Sequence, residues 1–179
     1  SFQRIEVFPD QWLPMWVFGV EDFNNFNLAQ FYHKEGNKVP DPGSMLIERN
    51  GQLVSDLKVG SLPRVRVGSK MIEVPVTGIN FDPAQAPATQ DAFIYTYVDK
   101  KTYTEITGEA ANQRLIFRLK NVTTKQEIQA AANIILDDFS RLGIRVDTVN
   151  IPKPDEHPHQ FQLNTLLALQ GSIGFLAFL

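Results

Sequence analysis

The sequence predicts an α+β fold built on a mixed sheet, and three observations carry that expectation. Short β-prone runs separated by glycine- and proline-rich turns fill the first hundred or so residues. A capped amphipathic helix then lies between two further β-prone runs, and the last seventeen residues, 163–179 (LNTLLALQGSIGFLAFL), carry no charge.

Taken in order, residues 2–7 alternate as a half-buried strand does, and residues 15–20 (MWVFGV) form a continuous apolar run of strand length. Residues 22–32 space Phe23, Phe26, Leu28 and Phe31 among polar neighbours, which fits either a short helix or an irregular stretch packed on the sheet. Residues 35–43 (EGNKVPDPG) are dense in turn formers and lead into a strand over 44–48. After Leu57-Lys58-Val59-Gly60 comes a hairpin, 64–67 with 70–79, joined by Gly68-Ser69 with glycine at the first central position of a tight turn. Residues 81–88 (FDPAQAPA) read as a flexible loop, too rich in proline for helix or central strand. Residues 92–98 (AFIYTYV) alternate as a strand, and 99–107 form a short helix ended by Gly108.

The clearest unit follows. Residues 114–119 (RLIFRL) and 144–149 read as strands around a helix over 124–142. Thr124 and Glu127 have the spacing of a capping box, and Gly143 supplies a left-handed exit. Ile128, Ala131, Ile135, Phe139 and Leu142 recur at helical spacing, so the segment is expected to be a βαβ unit laying one apolar face on a sheet. Residues 151–159 (IPKPDEHPH), with three prolines, form a stiff extended connector that runs into the apolar terminus.

A membrane core takes about 20 apolar residues of helix. Residues 161–179 are therefore expected to be the start of a transmembrane helix cut by the chain boundary, with Gly171, Ser172, Gly174 and Ala177 as close-packing small residues. The alternative is an amphipathic helix that docks on the domain core with Asn164, Gln170 and Ser172 outside. The rest, residues 1–160, reads as one domain of two lobes: 1–43 with 92–150, and a smaller inserted β-rich lobe over 44–91.

Composition excludes several function classes. The net charge is −3 and the seventeen lysines and arginines are scattered, so no basic stripe follows a phosphate backbone and nucleic acid is not an expected partner. No cysteine is present, which excludes disulfides and thiolate metal sites. His157 and His159 flank Pro158, but two ligands without a carboxylate cluster do not complete a metal site, and His33 stands apart. Asp137-Asp138 lie off the apolar helix face and read as solvated. There is no nucleophile elbow and no phosphate-binding glycine loop, so neither a catalytic residue nor a cofactor is expected, and ATP is not hydrolysed on this chain. Asn121-Val122-Thr123 matches a glycosylation acceptor too short to carry weight. Trp12, Trp16, Phe18, Phe23, Phe26 and Phe31 cluster within twenty residues and suit either a core or an apolar contact surface. The loop from Asp82 to Asp91 reads as solvated slack or a mobile contact element.

The order of these elements resembles the extracytoplasmic domain of an FtsX-like or MacB-like ABC transporter permease. The residues that carry the resemblance are Glu35-Gly36 through Pro42-Gly43, Met45-Leu46-Ile47-Glu48, and Leu57-Lys58-Val59-Gly60 before a hairpin. They continue with Val76-Thr77-Gly78-Ile79, Phe81-Asp82-Pro83, residues 95–98, residues 112–119, the amphipathic helix, residues 143–146, and Glu156-His157-Pro158 ahead of an apolar helix. The resemblance implies a non-enzymatic domain on the periplasmic side of a bacterial cytoplasmic membrane. It implies a permease homodimer or heterodimer, a separate ATPase subunit, and an extracytoplasmic protein partner to which motion is transmitted. Pro152, Pro154, His157 and Pro158 would then form the mechanical coupling connector. No residue pattern identifies a transported substrate.

Overall fold

The computed structural model describes residues 1–25, 30–108, 115–151 and 160–177, and the chain divides into two compact units, Ser1–Ile116 and Phe117–Leu179. The first unit is α+β. It opens with a hairpin, β1 (Phe2–Phe8) and β2 (Gln11–Val20). Asp10 turns the chain at φ 60°, a conformation that aspartate tolerates better than most residues, and its amide donates to Glu6 Oε1 at 2.9 Å. Strand β2 thus begins four residues earlier than the apolar run suggests, because cross-strand pairing with β1 extends it through Pro14.

The remaining strands are β3 (Tyr32–Gly36), β4 (Met45–Glu48), β5 (Arg64–Val67), β6 (Lys70–Glu73), β7 (Val76–Phe81) and β8 (Ile94–Asp99). A 3₁₀ turn, Arg49–Leu53, follows β4; helices α1 (Ala88–Asp91) and α2 (Lys100–Thr107) flank β8. Asp99 caps α2 by accepting from the Thr102 amide at 2.9 Å, and Gly108 ends it at φ 67°, as the sequence predicts. In the β5–β6 hairpin Gly68 carries φ 59°, as glycine at the first central position of such a turn does.

The eight strands form one mixed sheet in the order β3-β7-β4-β8-β2-β1-β5-β6. β2 and β8 run parallel, as do β4 and β7, and the other neighbours are antiparallel. The strands within 44–91 are therefore members of the same sheet as β1, β2 and β8, not a lobe with its own sheet. The expected single strand over 70–79 is broken at Val74-Pro75, where proline has no N–H for a ladder, and its halves lie at opposite ends of the strand order. In a flat sheet, six strand spacings would separate β6 from β7 by roughly 29 Å. Two linking residues reach about 11 Å at most, so the sheet curls until its ends approach. Backbone bonds from Val74 N to Pro63 O (3.1 Å) and from Val76 N to Ser61 O (2.9 Å) fix that closure.

One face of the sheet holds the main core: Ile5, Met15, Val17, Met45, Ile47, Val76, Ile94 and Val98, closed by Tyr103 and Ile106 of α2. Period-two alternation in β1, β2 and β4 sorts these residues inward. At Gly19 a Cβ would lie 3.1 Å from the Tyr103 ring, so glycine there lets α2 approach β2.

In the second unit, α3 (Lys125–Arg141) starts with the predicted capping box between Thr124 and Glu127, and Gly143 exits at φ 71°. The flanking segments 115–119 and 144–149 are not strands, which corrects the expected βαβ unit. A strand needs a neighbour's backbone to satisfy its amides and carbonyls. Neither segment has such a pairing among the described residues, and Leu115, Ile116, Phe117, Ile144, Val146 and Val149 are exposed. Phe117 instead meets Phe139 of α3 at a ring distance of 6.2 Å. Helix α4 (Gln160–Ala177) has no charged residue, and Leu166, Leu167, Leu169 and Ile173 are exposed. No helix among the described residues is long and apolar enough to cross a membrane.

Candidate functional site

The second face of the sheet is aromatic. The residues of β2 that alternate with the core positions are Trp16, Phe18 and Val20, and β8 contributes Tyr95 and Tyr97. Their rings form a ladder: Trp16 and Phe18 stack at 5.6 Å, Phe18 and Tyr97 at 5.3 Å, and Phe31 meets Tyr97 at 4.6 Å. Phe2 adds a contact to Trp16 at 4.5 Å. Of the six aromatics singled out in the sequence, Trp16, Phe18, Phe23 and Phe31 join this cluster, Trp12 stands elsewhere on the sheet, and Phe26 lies outside the described residues.

Where β4 and β7 end, the same face turns polar. Glu48, Asn80 and Asp82 are all at least nine-tenths buried. The Tyr97 hydroxyl donates to Asp82 Oδ2 at 2.6 Å, and the Ala84 amide donates to Asp82 Oδ1 at 2.9 Å. Burial, reinforced by the Asp82 carboxylate, pushes the Tyr97 phenol far up, so it remains a proton donor. The Tyr95 hydroxyl makes a longer bond to Asp91 Oδ2 at 3.3 Å; burial first, then Asp91, raises that phenol to about 12. Asp82 is thus an anchor, not the first residue of a slack loop.

Glu48 Oε2 accepts from the Asn50 amide at 2.6 Å and caps the following 3₁₀ turn, while Oε1 has no hydrogen-bond partner. Burial raises this carboxyl above its ordinary range, against the opposing Asn50 bond. Asn80 is 1% exposed, and neither its amide nitrogen nor its oxygen has a partner. Strand register sets His33 opposite Asn80 and Asn80 opposite Glu48, giving a row across β3, β7 and β4 from an exposed histidine to a buried carboxyl. His33, Asn80, Phe31, Asn37 and Lys38 line a cleft of about 240 Å³. The cost of leaving a buried amide unpaired is about 1–3 kcal/mol, and a group that brings its own donor and acceptor would offset it.

This row is suited to binding. Among the described residues no three histidine or carboxylate side chains gather as a metal site does. Asp137 and Asp138 lie on α3, where Asp138 pairs with Arg141 at 3.3 Å. The connector residues Pro152, Pro154, His157 and Pro158, and His159, lie outside the described residues. Sequence reading named His33 but missed Glu48, Asn80 and Tyr97; the available signal was polar residues on the otherwise apolar runs MLIE and VTGINF. No protein-family model matches the chain, and no curated protein matches it in sequence.

Proposed function

We propose that this chain is the extracytoplasmic domain of an FtsX-like or MacB-like ABC transporter permease, and that it passes ATP-driven motion of membrane helices to export or to a protein outside the membrane. The observation that carries the reading is α4: eighteen residues without a charge, with every residue from 164 to 173 exposed, Leu166, Leu167, Leu169 and Ile173 among them. A helix apolar on all sides is buried in a large core or in lipid. At 1.5 Å per residue α4 spans about 27 Å, a little less than a hydrocarbon core of about 30 Å. In this reading it forms the first part of a span.

The ATPase is a separate subunit, the permease is a homodimer or heterodimer in a bacterial cytoplasmic membrane, and the β-rich unit faces the periplasmic side. Pro152, Pro154 and Pro158, with His157 between them, act as a stiff connector. A glycine-serine linker would absorb a displacement that a proline-rich one transmits. The second reading is a soluble ligand- or protein-binding module whose C-terminal helix belongs to its core. The cleft beside Asn80 favours it, and the exposed leucines of α4 weigh against it.

Carbonate extraction of membranes from cells producing the complete natural open reading frame, with protease added from the outer face, separates the two. Retention in the membrane with cleavage of residues 1–160 from outside is the expected result. Release as soluble protein would overturn the permease reading.

A further inference from the structure

Two neighbouring rows cross strands β2, β1, β5 and β6, and they treat charge differently. In the first row Trp12 stands opposite Glu6, and Arg64 stands opposite Glu73. Arg64 Nε donates to Glu6 Oε2 at 2.6 Å, and its Nη2 donates to Oε1, so the cation is compensated. The next row reads Pro14, Arg4, Arg66, Met71. Here two arginines face each other directly, with a proline and a methionine as their outer neighbours.

Like charges opposite one another on a sheet destabilise it. Among the described residues neither Arg4 nor Arg66 forms an ion pair. Both are nevertheless held in place. Arg4 Nη2 donates to the Trp12 carbonyl at 3.3 Å, and the Arg66 guanidinium lies 5.2 Å from the Trp12 ring centre. The two arginines line a shallow cleft of about 350 Å³ together with Phe2, Pro14 and Gly68. At Gly68 nothing lies within 4 Å of where a Cβ would stand, so that side is open, and Phe2 is 57% exposed at the rim.

We propose that this cleft binds an organic phosphate, with the phosphate between Arg4 and Arg66 and its carbon substituent against Phe2 and Pro14. One carboxylate presents a single planar edge, which one guanidinium fork fills. A phosphate monoester offers three oxygens arranged around phosphorus, so two forks can engage it at once. The group is supplied either by a dissolved phosphate ester or by a lipid headgroup, and the same two arginines serve both. The site lies wholly within the first unit and stands whether or not α4 enters a membrane.

The test uses the 179-residue chain, with glycerol 3-phosphate and inorganic phosphate as probes against chloride at matched ionic strength. The fluorescence of Trp12, which adjoins Arg66, reports binding. Saturable quenching specific to phosphate is expected, with affinity at least about tenfold weaker in Arg4→Gln and in Arg66→Gln. Arg145→Gln, which removes the same charge in the second unit, should leave it unchanged. Sedimentation with vesicles containing phosphatidic acid, whose headgroup is a phosphate monoester, against phosphatidylcholine vesicles separates the sources. Phosphatidic-acid-dependent binding lost in the arginine variants assigns a lipid headgroup, and a response to the dissolved phosphates alone assigns a soluble phosphate. A response equal to that of chloride, or an equal loss in Arg145→Gln, would overturn the proposal.

Discussion

Replacing Tyr97 with phenylalanine removes one buried hydrogen bond and little else. The Tyr97 ring is held by Phe18 and Phe31, so the aromatic packing remains, and the loss is the 2.6 Å bond to Asp82 Oδ2. A hydrogen bond to a charged acceptor contributes about 1.5–3 kcal/mol. Asp82 keeps the Ala84 amide on Oδ1 and the Gln85 side-chain amide at 3.2 Å on Oδ2, which places the expected loss near the lower end, about 2 kcal/mol. With an unfolding entropy of about 2.1 cal/mol/K per residue, the unit Ser1–Ile116 should lose about 8 °C in Tm. Tyr95→Phe removes only the 3.3 Å bond to Asp91 and should cost about 1 kcal/mol or less. Both tryptophans of the chain, Trp12 and Trp16, lie in this unit, so urea unfolding followed by tryptophan fluorescence reads its stability directly. A Tyr97→Phe protein as stable as the parent, or a Tyr95→Phe protein that is the less stable of the two, would refute the assignment of Asp82 as the anchor.

Other outcomes follow from the same geometry. Glu48 titrates above its ordinary 4.5 in the folded state, so folding binds a proton there and stability falls as pH rises from about 4.5 through the raised value. Glu48→Gln should flatten that part of a pH-stability profile measured by urea unfolding and raise stability at neutral pH. Glu6 has the opposite sign: the Arg64 bonds hold its carboxyl at about 2, so its contribution is present above about 4.5 and is lost as pH falls toward 2. Arg64→Gln should reduce that acid-side loss in the same titration, leaving the part that the Asp10 amide bond to Glu6 supplies. Gly78→Ala would set a Cβ 2.2 Å from the Asn37 carbonyl oxygen, and thermal melting should show a loss of about 3 kcal/mol or no folded protein. Thr124→Ala removes the α3 cap and should lower helicity by circular dichroism at a cost of about 1 kcal/mol. Under the permease reading, glycine at Pro152, Pro154 and Pro158 together should uncouple ATP hydrolysis from transport without preventing assembly. Unchanged transport would remove the stiff-connector role.

Local rules made several turns and caps legible, because they are written in one or two residues: Gly68 at the hairpin and Gly108 after α2 in the first unit, and Thr124 with Glu127 before α3 in the second. Strand β3 was not legible. Tyr32–Gly36 has no period-two pattern because all five residues are exposed, and its existence depends on β7 lying alongside. The strands expected around α3 failed for the converse reason: the pattern is present at 114–119 and 144–149, but no described strand pairs with it. The candidate site shows the same limit. Glu48, Asn80 and His33 are far apart in sequence and become one row only through the registers of β4, β7 and β3. Gly36 reads as a turn former and Gly78 as a strand residue, yet the two face each other across β3 and β7, and a Cβ on either would meet the partner segment's backbone at 2.4 and 2.2 Å.

The placement of β8 has a consequence for how the chain acquires its structure. Among the described residues it is the last strand to be synthesised, yet it lies in the interior of the sheet, between β2 and β4. Every residue from Ile94 to Val98 is buried. Until residue 99 has emerged, β2 and β4 each keep an open strand edge on the side that β8 will fill. Such edges recruit strands from other chains. A nascent chain that stalls before Ile94 is therefore a substrate for holding chaperones or for aggregation, and the sheet closes only once this strand is in place.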